Sequence, residues 1–304
     1  MPVAVEACHM VRPEVGASVQ RRDLTGTTAL VTGATGGVGR EVALALGRLG
    51  ADVLVHGRDR DRGERVANEL RELGSDTSFF QAEYTDVDEV ERLAERVHGR
   101  VDELDVLVNN AGAHFDDGRL TRLGVERTFH ANHLSPFLLT NRLRDAIPPG
   151  WRVVTVASEV HRRATLDFDD VTAVEDYDGL DAYGRSKLAN VLFARELARR
   201  SVGLTSVSCH PGFVPATGIW RNASLPVRAL MWVLSAVPRL VTLGRVDTPS
   251  SAAVTPTYLA ATERESGENG AYFRDCSPVE PSPAATDDPL AERLWAWSAE
   301  RVGL

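Results

Sequence analysis

The chain has 304 residues, of which 34 are Lys or Arg and 43 are Asp or Glu, so its net charge at pH 7 is −9. With 43% apolar residues, its composition is that of a globular protein, which excludes a disordered or fibrous chain. The acidic balance, and the lack of any Lys and Arg cluster with interleaved aromatic residues, argue against nucleic acid as a partner.

Other classes are excluded by local sequence. No apolar stretch approaches the roughly 20 residues that a membrane-spanning helix needs, and residues 1–23 carry a proline and acidic residues where a signal peptide would be apolar. Cys8, Cys209 and Cys276 are isolated thiols without CxxC spacing, which predicts a reducing compartment and neither disulfides nor a metal site. We therefore expect a cytoplasmic protein, without a transmembrane segment, whose residues 1–23 form a flexible arm.

From residue 27 onward, short β-branched runs alternate with stretches of helical period, the pattern of parallel strands joined by crossover helices. The first half predicts strands at 28–32, 51–56, 78–82 and 104–108, with helices at 38–49, 61–73 and 87–97. The second half predicts a long helix at 125–145 closed by Pro148 and Pro149, strands at 152–156 and 205–209, and helices at 183–200 and 290–302. We predict one α/β domain over residues 24–304, a Rossmann-type doubly wound parallel sheet in three αβα layers.

The pattern loosens after Pro211, and we predict that residues 213–304 form the substrate-pocket region and the C-terminal tail. Within it, residues 225–243 (LPVRALMWVLSAVPRLVTL) combine large apolar side chains with arginines. Such a segment suits a lid over an apolar substrate, a helix on a membrane surface, an oligomer contact or an ordinary packing helix. The sequence leaves these alternatives open.

A glycine-rich turn, TGATGGVG at residues 32–39, stands between the first predicted strand and helix. Where Cβ atoms are missing, backbone N–H groups and the helix N-terminus can approach a pyrophosphate closely. The turn therefore predicts a dinucleotide site that includes Gly33, Thr35, Gly36, Gly37, Val38 and Gly39.

The end of the second strand indicates which dinucleotide binds. An NAD enzyme usually places a carboxylate there for the ribose 2′-hydroxyl, but this chain has Gly57 followed by Arg58, with Arg60 and Arg62 nearby. A guanidinium can pair with a 2′-phosphate, so we expect NADP(H) in preference to NAD(H). Asp59 and Asp61 alternate with these arginines, which leaves a solvated helix start as the other interpretation.

Tyr183 and Lys187 are four residues apart and hence on one face of a predicted helix. A nearby ammonium together with a bound cationic nicotinamide would lower the pKa of the phenol, and Tyr183 would then act as a general acid or base near neutral pH. Ser158, just after the strand at 152–156, is placed to offer a hydroxyl to a substrate oxygen.

These residues together resemble the short-chain dehydrogenase/reductase family over about residues 24–215. The markers are the turn at 32–39, NNAG at 109–112, Asn132, Ser158, the Tyr183/Lys187 pair and HPG at 210–212. Within the family, the chain is most similar to the branch of retinol dehydrogenases and WW-domain-containing oxidoreductases, through HANHLSPFLLTNRL (130–143), ASEVHR (157–162) and AYGRSKLANVLFARELARR (182–200).

The resemblance implies a catalytic tetrad. Tyr183 would exchange the proton with the substrate oxygen, Ser158 would polarise that oxygen, Lys187 would lower the Tyr183 pKa and bind the nicotinamide ribose, and Asn132 would hold a relaying water. It also implies cofactor contacts by Asn110, Ala111, Gly112, Pro211 and Gly212, with Glu83 on the adenine and Thr217, in place of Ala216, on the carboxamide.

Two features differ from the relatives of that branch: the chain shows neither WW modules nor an amino-terminal anchor. The sequence predicts an NADP(H)-dependent oxidoreductase that interconverts a carbonyl and an alcohol on a small or medium apolar molecule, with a homo-oligomer suggested by the resemblance. The alternatives are an NADP(H)-binding sensor or scaffold on the same fold, and an epimerase or dehydratase.

Four histidines also attract attention. His130 and His133 form an HxxH pair on a predicted helix, but no further ligands match, so they are interpreted as helix-face residues. His114 and His161 follow NNAG and Ser158, where contact with substrate and a surface position are the two expectations.

Overall fold

The computed structural model describes residues 12–144, 150–215, 218–221, 224–236, 246–262 and 268–304. Within these ranges, eight strands form one sheet in the order β3-β2-β1-β4-β5-β6-β7-β8. All neighbours are parallel except β7 and β8, which are antiparallel. The strands are β1 Thr28–Val31, β2 Asp52–Gly57, β3 Phe79–Gln81, β4 Val106–Asn109, β5 Arg152–Val156, β6 Thr205–Cys209, β7 Tyr272–Arg274 and β8 Ser277–Val279.

Helices cover both faces of the sheet. One face carries α2, α3 and α11, and the other carries α4, α6, α8 and α12. The α-helices are α1 Pro13–Gly16, α2 Gly37–Arg48, α3 Arg60–Glu72, α4 Val87–His98, α5 Arg127–Phe129, α6 Ser135–Leu143, α7 Phe168–Thr172, α8 Gly179–Arg200, α9 Leu225–Ala236, α10 Pro249–Ala252, α11 Val254–Ala261 and α12 Asp288–Val302.

The alternation of side chains along β1 shows how the two layers of core arise. Ala29 and Val31 pack into the core on one face of the sheet, whereas Leu30 packs into the core on the other. Because successive strand residues point to opposite faces, a strand covered on both sides must be apolar throughout. The predicted single-domain, doubly wound α/β fold is confirmed.

The strand order reverses between β1 and β4, which are neighbours near the middle of the sheet. The loops that leave the carboxyl ends of these strands diverge to opposite faces, which opens a crevice between them. The glycine-rich turn after β1 and the NNAG turn after β4 both lie at this crevice.

The helix predicted at 125–145 is interrupted. Its residues form α5, then a π-helical turn at His130–Leu134, and then α6, while residues 145–149, including Pro148 and Pro149, lie outside the described ranges. A π-helical turn contains one residue more than an α-helical turn, and the spacing of apolar residues in the sequence does not reveal it. Such π-turns are frequent at functional sites. Asn132 lies within this turn.

The flexible arm expected over residues 1–23 is corrected for residues 12–23, which are folded against the rest of the chain. Residues 13–16 form the helical turn α1, Ala17 and Val19 are buried in the core, and Glu14 forms an ion pair with Arg48, with Oε1 2.6 Å from Nε. The Arg48 guanidinium compensates for the burial of the Glu14 carboxylate, since Glu14 is only 4% exposed. Residues 12–22 are therefore part of the domain. Their apolar side chains are too few to show a periodic pattern in the sequence, but Ala17 and Val19 are buried in the core.

Candidate active site

The glycine-rich turn after β1 is held against the loop after β4. Asn110 donates a hydrogen bond from Nδ2 to the carbonyl of Thr32 at 2.8 Å, and the backbone N–H groups of Asn110 and Ala111 both donate to the Thr32 hydroxyl at 3.0 Å. A Cβ atom on Gly39 would lie 2.3 Å from Asn110 Nδ2, and one on Gly33 would lie 2.8 Å from Ala111 Cα. Glycine is therefore required where these two loops meet.

The N-terminus of α2 differs from those of the other helices near the site. Aspartate side chains cap α3, α4 and α8 by accepting hydrogen bonds from the first backbone N–H groups. The α2 helix follows Gly36, which supplies no side-chain cap. Its first N–H groups are thus available to an anionic ligand at the positive end of the helix dipole.

A cavity of about 990 Å³ extends from this turn to Tyr183 and Lys187 of α8. It is lined by nearly all residues that the sequence selects for cofactor or catalysis: Gly33, Thr35, Gly36, Gly37, Val38, Gly39, Arg58, Glu83, Asn110, Ala111, Gly112, Ser158, Tyr183, Lys187, Pro211 and Gly212. Thr217 lies outside the described residues. The fold therefore brings residues from seven separate segments of the chain to one cavity.

Lys187 is buried and Tyr183 is half-buried, and both belong to α8. The Lys187 ammonium lies 5.5 Å from the centre of the Tyr183 ring and donates a hydrogen bond to the Val156 carbonyl at 2.9 Å. Burial lowers the pKa of Lys187 to about 8 and raises the pKa of Tyr183 above its ordinary value. The Tyr183 phenol is therefore neutral at pH 7, and the lowering of its pKa by Lys187 together with a cationic nicotinamide stays a prediction.

Ser158 starts a 3₁₀ turn, Glu159–Arg163, directly after β5. Its hydroxyl is 3.5 Å from the backbone nitrogen of Val160, and its carbonyl is 2.7 Å from His161 Nδ1. Because His161 Nε2 accepts a hydrogen bond from the Ser282 N–H at 3.1 Å, the ring proton belongs on Nδ1, which donates to Ser158. The C-terminal tail thereby fixes the backbone of Ser158.

Asn132 lies behind the cavity wall and is fully buried. Its Nδ2 donates to the Ala113 carbonyl and to Ser186 Oγ, both at 2.9 Å, and its Oδ1 accepts from the Ala113 N–H at 2.7 Å. A Cβ on Gly112 would be 3.5 Å from both Asn132 Oδ1 and Lys187 Nζ. The Asn132 side-chain amide thus connects the loop after β4 to α8, close to the Lys187 ammonium.

Positive charge collects at the far end of the cavity, beyond the glycine-rich turn. Arg58 and Arg62 both line this end. Arg58 Nη1 is 3.3 Å from Glu83 Oε2, so the arginine chosen for the 2′-phosphate and the glutamate chosen for the adenine form a half-exposed ion pair. Arg62 pairs similarly with Asp59 at 3.3 Å.

Comparison with known proteins gives the family. Residues 27–226 match the family described as short chain dehydrogenase. This chain belongs to the short chain dehydrogenase family. Mouse retinol dehydrogenase 14 is 36% identical over 295 residues, which cover 92% of this chain and 86% of the mouse protein. The bovine dehydrogenase/reductase SDR family member 13 is 40% identical over 295 residues, covering 92% of this chain and 74% of that protein.

A solved structure agrees with this assignment. The angucycline C-6 ketoreductase LanV with bound NADP has a TM-score of 0.66 and 29% identity, covering 84% of this chain and 95% of the other. Both the predicted family, including its retinol-dehydrogenase-like branch, and the predicted oxidoreductase class are confirmed.

Three large apolar side chains line the cavity of this short chain dehydrogenase and stay exposed, a feature that sequence motifs do not reveal. Val160, Leu180 and Phe213 line the cavity and remain 42%, 59% and 39% exposed. They come from three separate segments of the chain, so no spacing pattern joins them. Large apolar side chains left exposed at a cavity mouth mark a surface for apolar ligands.

The four histidines singled out from the sequence, His114, His130, His133 and His161, are buried in this short chain dehydrogenase. His130 Nδ1 is 2.8 Å from Thr121 Oγ1, and His133 Nε2 is 2.9 Å from Ser298 Oγ, so the HxxH pair serves packing inside the π-turn. His114 and His161 are 1% and 0% exposed, and neither lines the cavity, so both expectations for them are wrong. Among the described residues, no three His, Cys, Asp or Glu side chains are grouped as for a metal ion.

The segment predicted at 225–243 contains α9, which ends at Ala236, and residues 237–243 lie outside the described ranges. Its side chains Leu225, Leu230, Trp232 and Val233 are at least half exposed. In the described part of the chain, no helix is long and apolar enough to cross a membrane. The packing-helix interpretation is thus disfavoured for α9, because its large apolar residues point away from the core.

Proposed function

We propose that this short chain dehydrogenase is an NADP(H)-dependent oxidoreductase that interconverts a carbonyl and an alcohol on a small or medium apolar substrate. One observation carries the proposal: Ser158, Tyr183 and Lys187 line the same cavity as the glycine-rich turn. Tyr183, a proton donor, thus lies in the cavity that would hold a dinucleotide extending from the glycine-rich turn. Reduction of a carbonyl needs both a hydride and a proton at the same substrate.

The cavity fits a dinucleotide. The glycines at 33 and 39 allow close backbone approach, the uncapped α2 N-terminus suits a pyrophosphate, and Arg58 suits a 2′-phosphate. The NADP in the ketoreductase LanV supports the same cofactor. Gly112, Pro211 and Gly212 would lie against the nicotinamide half, and when bound NADP(H) supplies or accepts the hydride.

The proton would pass through Tyr183. Its raised pKa keeps the phenol neutral, the form that donates to a carbonyl oxygen as that oxygen becomes negative. Ser158 would donate a second hydrogen bond to the same oxygen, and the Lys187 ammonium would stabilise the phenolate left behind. Asn132 would hold the loop after β4 against α8, near Lys187, through its hydrogen bonds to Ala113 and Ser186. A water relay would begin at Lys187.

The substrate class follows from the mouth of the cavity. Val160, Leu180 and Phe213 would cover an apolar carbonyl compound, while Arg185, which also lines the cavity, is paired with Asp170. The names of the relatives, which refer to retinol and to an angucycline, support a compound of this kind.

The direct test is to follow NADPH absorbance while the protein meets a panel of aldehydes, ketones, quinones and retinoid-like carbonyls. Oxidation of NADPH that depends on a carbonyl compound would support the proposal. Binding of NADPH with no oxidation across the panel would favour the sensor or scaffold, and product formation with no net use of NADPH would favour an epimerase or dehydratase.

A second prediction concerns cofactor choice. Replacing Arg58 by Ala should weaken NADPH binding about tenfold and NADH binding less than twofold, because only NADPH has a 2′-phosphate for the guanidinium. Titration of both cofactors by fluorescence measures the two dissociation constants. Arg60→Ala is the matched control, since Arg60 is exposed on α3 and does not line the cavity. Equal loss of both cofactors in Arg58→Ala would contradict the NADP(H) assignment.

A further inference from the structure

A third arginine lies with Arg58 and Arg62 at the far end of the cavity. Arg221 ends the 3₁₀ turn Gly218–Arg221, which comes more than 150 residues later in the chain, in the segment after β6. All three side chains line the same cavity. No motif points to Arg221, because it belongs to the least regular part of the sequence.

The backbone around Arg221 is held in place by the loop after β4. The N–H of His114 donates a hydrogen bond to the carbonyl of Ile219 at 3.2 Å. A Cβ on Gly218 would lie 2.7 Å from Arg221 Nη2, so the guanidinium rests against the backbone of Gly218, where any larger residue would push it aside. The turn that carries Arg221 therefore has a defined position beside the cavity.

Charge at this end of the cavity is unbalanced. Arg58 is paired with Glu83 and Arg62 with Asp59, whereas Arg221 forms no ion pair with any residue that the structure describes. Burial and the repulsion from Arg58 and Arg62 lower the pKa of Arg221. Three guanidinium groups with two carboxylates leave one positive charge for an anion to neutralise.

We propose that Arg221 is a second ligand of the 2′-phosphate of NADP(H), and hence a determinant of cofactor specificity supplied by the segment after β6. The inference rests on the proposed use of NADP(H) and adds a residue to it. A phosphate dianion held by Arg58 from the end of β2 and by Arg221 would have both of its negative charges paired, and each guanidinium offers several donors to phosphate oxygens.

The test measures binding of adenosine 2′,5′-bisphosphate and adenosine 5′-monophosphate by calorimetry, with no substrate present. The two compounds differ only in the 2′-phosphate. Arg221→Ala should weaken binding of the bisphosphate about tenfold and binding of the monophosphate less than twofold. Arg221→Lys, which keeps the charge but not the planar fork, should lose less. Arg228→Ala, an exposed arginine of α9 outside the cavity lining, should change neither.

The outcomes separate the two proposals. If Arg221→Ala binds the bisphosphate as tightly as the unaltered protein while Arg58→Ala does not, Arg221 is no ligand and the choice of NADP(H) stands. If the unaltered protein binds both nucleotides equally, the preference for NADP(H) fails and the role of Arg221 fails with it. Equal weakening of both nucleotides in Arg221→Ala would show that the residue supports the fold of the segment, which also overturns the inference.

Discussion

Replacing Tyr183 by Phe is expected to lower kcat by about 10²- to 10⁴-fold, the usual contribution of a general acid or base. The change removes one hydroxyl and keeps the ring that lies 5.5 Å from Lys187. Since the ring and its packing remain, the affinity for NADPH should change less than twofold. Initial rates at saturating carbonyl and a separate NADPH titration measure the two quantities.

The control for this prediction is Tyr258→Phe. Tyr258 lies on α11, packed against the core on the opposite side of the sheet from α8, and does not line the cavity. The Tyr258→Phe variant also loses one phenol oxygen, but far from the cavity, so its kcat should stay near that of the unaltered protein. Full activity of Tyr183→Phe would refute the proton-transfer role, whereas loss of NADPH binding would assign Tyr183 to cofactor binding instead.

Acid should destabilise the protein strongly, because three histidines are buried as neutral rings. Burial lowers the pKa of His56 and His130 to about 4 and that of His133 to about 3. Their pKa in the unfolded chain is about 6.5. Between these values the unfolded state binds protons that the folded state excludes, so stability falls as pH drops below 6.5. From pH 7 to pH 5 each histidine should cost about 2 kcal/mol of unfolding free energy.

Glu126 acts in the opposite direction. Burial raises its pKa to about 7, although the backbone N–H groups of Thr128 and Phe129 donate to its carboxylate. Because an unfolded glutamate ionises near pH 4.5, stability due to this group falls as pH rises from 4.5 to 7, and acidification to pH 5 restores about 2 kcal/mol. These four groups together should lower the unfolding free energy by about 3 to 4 kcal/mol between pH 7 and pH 5. His161, whose pKa burial also lowers, acts in the same direction as the other histidines.

Urea unfolding at pH 7, 6 and 5 measures this dependence. The matched variant is Glu126→Gln, which cannot ionise and should show a loss larger by about 2 kcal/mol over the same interval. An unfolding free energy that stays constant from pH 7 to pH 5 in the unaltered protein would contradict the neutral, buried state of the three histidines.

The order of strands and helices from β1 to β6 could be predicted because its signal is local. A strand buried on both faces is apolar throughout, as Thr28–Val31 shows, and a surface helix repeats its apolar residues every three or four positions. The predicted strands at 152–156 and 205–209 coincide with β5 and β6. The β7–β8 hairpin was missed because its strands have three residues each, too few to show a period.

The candidate site divides in the same way. Sequence alone determined the glycine-rich turn, the NNAG turn and the Tyr183/Lys187 pair, because each places its residues a few positions apart on one turn or one helix face. Tertiary structure decided what depends on distant segments meeting: the burial that raises the Tyr183 pKa, the π-turn that holds Asn132 behind the cavity wall, and the position of Arg221 at the same cavity as Arg58. Burial and electrostatic interactions depend on which residues are close in space, and the sequence pattern alone does not show this.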